Sequence, residues 1–475
     1  VRGTMIIFVN ILLEDEMPKF QKLEGDPSQY EHLFKDKNQH EPMDDEPAFV
    51  VFNGVVANEY LFFADNHNIV AHQFGGPAYT VAKIYQHLGN EQFSTSKLFS
   101  VIGEEKNNIN MKLHFIGSRV AFNDIDQDDL LPTASQVTFF MKPQTVYEYL
   151  NRPTDPVLQA EYDANLLIQK FKQRSEPWGF LNKKEVEIAE SLPEKQMAKF
   201  SVYDYRIMEN LDHYYMQRRK SLFKRADCVY VDLSITAPAL AVLMKEHQSK
   251  LIVQGHADHL YKYNHVMWDF FNNTYQYGIK RSEVDQRSLV HDLVLTLKDA
   301  KYIQDHFCGS LGDFRFVRQK CKLLENEELQ IQHAVLSGYI RQNISLLKYL
   351  ESNQENISQS LSVLHFLAKA ENIYIKLPRA GVLVSSQLGS RVQYVAHNCG
   401  RECIVTENGA VEAFVAGLMR AKKQKLGQEE SAVFASAVML SSMMGWQNVH
   451  PQLDVGLVQD IMDNVNIKVV TVYDE

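Results

Sequence analysis

The stretch that most constrains this chain lies near its middle. Cys228-Val229-Tyr230-Val231-Asp232-Leu233 is a short apolar run, Ala239-Leu240-Ala241-Val242-Leu243 continues as a helical pattern, and Lys250-Leu251-Ile252-Val253 is apolar again. Strand, helix and strand at this spacing make a βαβ unit, which implies a parallel sheet with helices on its faces. The class expected is therefore α/β.

Other segments fit the same plan. Ala48-Phe49-Val50-Val51-Phe52-Asn53-Gly54 reads as a buried strand closed by glycine, and the globular part begins there. After Gly75-Gly76-Pro77, the apolar residues Val81, Ile84, Tyr85 and Leu88 fall at helical spacing, with Gly89 at the stop position. The last hundred residues predict strands at Ile373-Tyr374-Ile375 and Val382-Leu383-Val384, and helices over 410–423 and 430–443. Three stretches have another texture. Residues 1–47 are polar and punctuated and predict an N-terminal arm, with one domain over 48–475. Residues 150–225 and 262–350 read as helical insertions, the first ending in the basic run 217–225, a solvated helix face rather than a binding patch.

Composition narrows the function classes. With 475 residues and 45% apolar side chains the chain can bury a large core. A formal charge of -10 supplies no basic field for nucleic acid. No apolar run is long enough to span a membrane, and Val1-Arg2-Gly3-Thr4-Met5 lacks the pattern of a signal peptide. Five scattered cysteines do not make a paired framework, so an intracellular location is expected, cytoplasm or mitochondrial matrix.

Four pieces, in order, carry a family resemblance. They are Asn53-Gly54-Val55-Val56-Ala57-Asn58-Glu59, Phe74-Gly75-Gly76-Pro77-Ala78, Lys376-Leu377-Pro378-Arg379-Ala380-Gly381, and Asn408-Gly409-Ala410-Val411-Glu412-Ala413-Phe414-Val415-Ala416-Gly417. Over about 48–122 and 226–460 the chain resembles the PfkB, or ribokinase-like, sugar and nucleoside kinases. In that family a strand ends in a substrate-binding Asp, a glycine pair approaches the substrate, a Thr-Leu-Gly-x-x-Gly turn lies beside the nucleotide, and Gly-Ala-Gly-Asp opens a helix. That helix N-terminus holds the transferred phosphate, and its Asp takes the proton from the attacking hydroxyl. The resemblance implies a three-layer α/β/α domain. It also implies a small β lid, about 55–65 and 112–148, through which relatives often dimerise.

The departures bear on the chemistry. Val411 stands for the second glycine and fills space meant for phosphate, so the anion hole of Gly409, Ala410 and Val411 is expected to be degenerate. Glu412 stands for the catalytic Asp, one methylene longer, and a misplacement of about 1 Å can cost on the order of 100-fold in rate. On the nucleotide side, Pro378 removes a donor within the turn that Gly381 closes, Glu407 adds negative charge, and Ser436 stands where many relatives carry an adenine-side Asn. Glu407 and Glu412 also have a plain structural explanation as acids in a helix's first turn. In the substrate cleft Glu59 replaces the Asp, beside Gly75 and Gly76. The family's Asn-x-x-Glu motif has no match; Asp299-Ala300-Lys301-Tyr302 is the nearest segment in order.

Other constellations are weaker. His256-Ala257-Asp258-His259 lacks a third ligand and reads as a polar turn, Cys399 and Cys403 have no second pair, and Met439, Met443 and Met444 are core fillers at helical spacing. No metal site and no cofactor are expected.

Joint change at base, anion hole and nucleotide turn predicts a non-catalytic pseudokinase that is a structural or accessory subunit of a larger protein assembly. One alternative is a divergent kinase using Mg-ATP and an alcohol acceptor, with Glu412 as general base and the Gly409 and Ala410 amides holding phosphate. The other is a ligand sensor without turnover.

Overall fold

The computed structural model describes residues 49–63, 68–89, 95–103, 108–141, 198–256, 258–278, 280, 283–284, 286–312, 314–322, 346–377, 380–397, 399, 404, 407–444 and 448–474. The arm 1–47 and residues 142–197 and 323–345 lie outside them.

The strands are β1 (Val50–Asn53), β2 (Ala57–Phe63), β3 (Asn68–Gly75), β4 (Ser96–Gly103), β5 (Ile125–Asp128), β6 (Ala134–Met141), β7 (Ala198–Asp204), β8 (Cys228–Asp232), β9 (Leu251–Gln254), β10 (Val290–Thr296), β11 (Ala370–Leu377), β12 (Gly381–Ser386), β13 (Arg391–Ala396) and β14 (Lys468–Asp474). The described helices of ten residues or more are α1 (Pro77–His87), α2 (Asn108–Gly117), α3 (Ala237–Glu246), α4 (Leu260–Asn272), α5 (Gln354–Ala368), α6 (Ala410–Lys423), α7 (Gln428–Met443) and α8 (Val455–Asn464).

Ten strands form one sheet in the order β14-β13-β12-β11-β10-β9-β8-β1-β4-β5. From β5 to β11 neighbouring strands run parallel, and β12, β13 and β14 add antiparallel pairs at one edge. Side-chain alternation along the central strands separates the core into two layers. Val51, Val229, Val231, Leu293 and Ile375 join the layer of α3, α4 and α5, through Leu240, Tyr263 and Leu364. Phe52, Tyr230, Ile252, Val294 and Tyr374 join the layer of α1, α6 and α7, through Val81, Phe414 and Val438. Near-continuous apolar strands are what a sheet buried on both faces requires. The expected three-layer α/β/α architecture is what the chain adopts.

A second sheet has the order β3-β2-β6-β7. It stands in the role expected of the lid, but its membership differs from the ranges 55–65 and 112–148. Residues 108–117 are α2, whose Met111 and Phe115 are buried in the main domain, and β5 pairs with β4 in the main sheet. The lid instead recruits β7 from the segment read as a helical insertion, paired antiparallel with β6. Likewise 262–350 is not wholly an insertion, since β10 runs between β9 and β11 in the parallel sheet. His291 and Asp292 mask that strand in sequence. Asp292 is fully buried, with Lys422 of α6 as its ionic partner and Asn372 of β11 donating at 3.0 Å, contacts that no local pattern reveals.

Two features of the later segments also depart from the sequence reading. Arg219 of the basic run is mostly covered and pairs with Asp126 at 2.7 Å, and Cys308 and Cys321 form a disulfide. The disulfide removes one ground for a reducing compartment. Among the described residues no helix is long and apolar enough to cross a membrane.

Candidate functional site

The site is built where β1, β8 and β9 end and the lid begins. Asp232, at the end of β8, accepts hydrogen bonds from the amides of Val55 (2.9 Å) and Ser234 (2.8 Å) and fixes the chain as it leaves the sheet for β2. Burial pushes its carboxyl up to about 6, against those hydrogen bonds. A side chain at Gly54 would overlap the Asp232 carboxylate.

Strand β2 then places Glu59 over the glycine pair. One oxygen of the buried Glu59 carboxylate accepts from the Gly76 amide at 2.7 Å, and the other from Gln73 at 2.8 Å and from Asn448. A Cβ at Gly75 would overlap that carboxylate, and one at Gly76 would lie 2.6 Å from the Val55 carbonyl, with φ at 85° as well. The pair is therefore required by the seating of Glu59.

The opposite wall is the start of α6. Gly409 has φ 71° and packs on Asn448, whose Cα would lie 2.7 Å from an added Cβ. Asn448 accepts from the Asn408 side chain while donating to Glu59, so one residue joins both walls. The Ala410 amide donates to the Glu407 carbonyl at 3.2 Å. Glu412, in the first turn, accepts from Gln254 at 2.8 Å, and Gln254 in turn accepts from the Tyr230 hydroxyl at 2.7 Å. Glu407 forms an ion pair with Lys376 of β11, whose side chain is only 5% exposed.

Glu59, Gln254, Lys376, Glu407, Gly409, Glu412 and Asn448 face one cavity of about 160 Å³. The lid contributes Glu59, Gln136, Tyr203 and Tyr205; β9 and β10 contribute Gln254 and Thr296; Lys298 and Asp299 follow; Lys376, Glu407, Gly409, Val411 and Glu412 close it. Thr296 and Asp299 cap one another, the Asp299 carboxylate accepting from the Thr296 amide and hydroxyl at 2.8 Å.

No family model matches the chain, and no curated protein does. Solved structures do. A Clostridium perfringens protein described as a sugar kinase superimposes with a TM-score of 0.55 at 11% identity, over 91% of this chain and 100% of that one. Arabidopsis thaliana ribokinase, solved with ribose and ATP, gives 0.52 at 11% identity, over 88% and 98%. Schistosoma mansoni adenosine kinase, solved with 2-fluoroadenosine, gives 0.50 at 9% identity, over 84% and 96%.

The chain has the ribokinase-like fold.

Within this fold, Glu59, Glu407, Gly409, Val411 and Glu412 line this cavity, while Gly75, Gly76 and Ala410 are not among its lining residues. Gly381, at φ 107°, begins β12, where an added Cβ would overlap the Val395 carbonyl. Ser436 is buried in α7 and does not line the cavity, and Pro378 lies outside the described residues. His256 stands 4.0 Å from Asp258 and packs edge-on against Tyr203, which leaves it in the cavity's rim. Among the described residues no three His, Cys, Asp or Glu converge on a point that could hold a metal ion.

The sequence reading missed Lys376, Gln254, Asn448, Lys298 and Thr296. Only Thr296-x-x-Asp299 carried a local signal, that of a capping box. Lys376 lay within a quoted motif, but its partner is 31 positions away in sequence.

Proposed function

We propose that this chain is a non-catalytic member of the ribokinase-like fold that serves as a structural or accessory subunit of a protein assembly. The observation that carries the reading is the Lys376–Glu407 ion pair, set where the resemblance would put the nucleotide's phosphates. Two further groups of the site are engaged within the chain: Glu59 by Gly76, Gln73 and Asn448, and the Ala410 amide by Glu407. Val411 lines the wall where the family has glycine. These residues do not fit a magnesium-bound triphosphate as they stand. An anion at the helix start would meet the branched Val411 side chain and the Glu412 carboxylate, and the Ala410 amide already donates to the Glu407 carbonyl.

The test is calorimetric titration of the purified chain with Mg-ATP, alone and with a panel of sugars and nucleosides. Silence is expected, together with stable partners in native co-purification. Saturable binding followed by phosphoryl transfer would overturn the reading.

A second reading has one observation in its favour. Glu412 faces the same cavity as the lid residues, and Gln254 orients it with a hydrogen bond of 2.8 Å. If turnover is found, Glu412 is the base that takes the acceptor hydroxyl's proton. Glu412→Gln then abolishes turnover with the fold intact, and an unchanged rate eliminates that role.

The intracellular location, cytoplasm or mitochondrial matrix, belongs to the proposal and is tested by fractionation.

A further inference from the structure

The ion pair at the head of the cleft joins two residues held in different ways. Lys376 lies within β11, in register with Thr296 of β10 on one side and Val382 of β12 on the other. Its ammonium is therefore carried by the rigid part of the sheet. Glu407 lies on the irregular segment just before the Asn408-Gly409 turn, and its side chain is 19% exposed. The cation is built in, while the anion sits on a loop at the cavity mouth.

Burying an ammonium demands a compensating negative charge. A carboxylate and a phosphate offer it the same thing, charged oxygens that accept short hydrogen bonds. Lys298 lines the same cavity, so a tetrahedral anion at Lys376 would share it with a second cation; the neighbouring Thr296 hydroxyl donates to Asp299. Relative to the family pattern, Lys376 stands for the Thr of Thr-Leu-Gly, and Glu407 replaces an uncharged residue before the glycine turn. The two changes bring opposite charges to one point.

We propose that this is an anion site occupied by the chain's own carboxylate, in which Glu407 takes the place of an external phosphate on Lys376. Removing the carboxylate opens a site for inorganic phosphate or a phosphate ester. Four other carboxylates, those of Glu59, Asp258, Asp299 and Glu412, also line the cavity, so the opened site is weak and selective for a small anion over a polyphosphate. The proposal deepens the reading of the cleft as self-filled, but its test compares variants and does not depend on whether the intact chain binds nucleotide.

The experiment is thermal unfolding of the intact chain, Glu407→Ala, Glu407→Gln and the double variant Lys376→Met/Glu407→Ala, each titrated with inorganic phosphate against chloride at equal ionic strength. Removing Glu407 leaves Lys376 buried without that partner, so the single variants melt below the intact chain. Phosphate should restore much of that loss saturably, binding them on the order of tenfold or more tighter than the intact chain, as one charged hydrogen bond allows. The double variant should not respond. Absence of a phosphate response in folded Glu407→Gln overturns the proposal, as does an equal response from the intact chain or a response that survives loss of Lys376. If Glu407→Ala does not fold, Glu407→Gln decides alone. Nucleotide binding by the intact chain would defeat the non-catalytic reading while leaving this comparison standing.

Discussion

Two buried titratable residues impose opposite pH dependences on this protein. His365 of α5 has its Nδ1 2.8 Å from the Ala370 carbonyl and its Nε2 2.9 Å from the Ser385 hydroxyl. The carbonyl can only accept, so Nδ1 carries the proton and the neutral ring's Nε2 accepts from Ser385. Burial pushes His365 down to about 4 from 6.5. Stability from this group is present above pH 6.5 and is lost as pH falls toward 4, by about 3 kcal/mol. Asp232 works the other way: its carboxyl is raised to about 6 from 3.8, so its contribution is present below 3.8 and is lost as pH rises through 6. Denaturant unfolding between pH 4 and 6.5 should show stability falling more steeply with rising pH for His365→Asn, which leaves the Asp232 term alone, and falling less or rising for Asp232→Asn, which leaves the His365 term alone. Unchanged pH slopes in both variants would remove these residues from the account.

At the scale of elements, the best-matched motif owes part of its form to helix packing. Gly417 of α6 faces α7, where an added Cβ would lie 2.7 Å from the Ala435 Cα and 3.1 Å from Val438. The neighbouring atom is backbone and cannot swing aside, so the two helix axes would have to separate. Gly417→Ala should lower unfolding stability by about 1–3 kcal/mol in denaturant titration while leaving the cavity's lining intact; a neutral effect would mean that the helices part easily. Gly409 differs, since its positive φ and its contact with Asn448 hold one wall of the cleft. Strands β7 and β10 show the limit of local reading. Ala198-Lys199-Phe200-Ser201-Val202-Tyr203-Asp204 does alternate, but its meaning depends on β6, 57 positions or more away at every pair. In β10 the charge on Asp292 is tolerable only because α6 delivers Lys422.

For the whole molecule, the two sheets divide the tasks. The ten-stranded sheet carries both core layers and fixes Asp232, Gln254, Thr296 and Lys376 near the ends of successive strands, which is where open parallel sheets place their ligand crevices. The four-stranded sheet covers that crevice with Glu59, Gln136 and Tyr203, and Tyr205 follows just beyond β7. A subunit of an assembly should leave native extracts in a complex larger than the chain's own 54.7 kDa. Self-association through the lid sheet would instead give twice that mass for the purified chain in light scattering, and monomer throughout both measurements would count against the accessory role.

The βαβ unit at 228–253, the strand at 50–53, the helices from Pro77 and Ala410, and the four motif segments in order were legible because each rests on local periodicity or on a glycine whose neighbours are close in sequence. From them followed the fold class and the positions of Glu59, Gly409, Val411 and Glu412. Tertiary structure alone decided which strands make the lid, that Asp292 can lie in a central strand, and that Glu407 meets the cleft as the ionic partner of Lys376. The physical reason is the same in each case. A backbone pattern is set by residues a few positions apart, whereas the cost of burying a charge is settled by a partner that only the folded chain brings within reach.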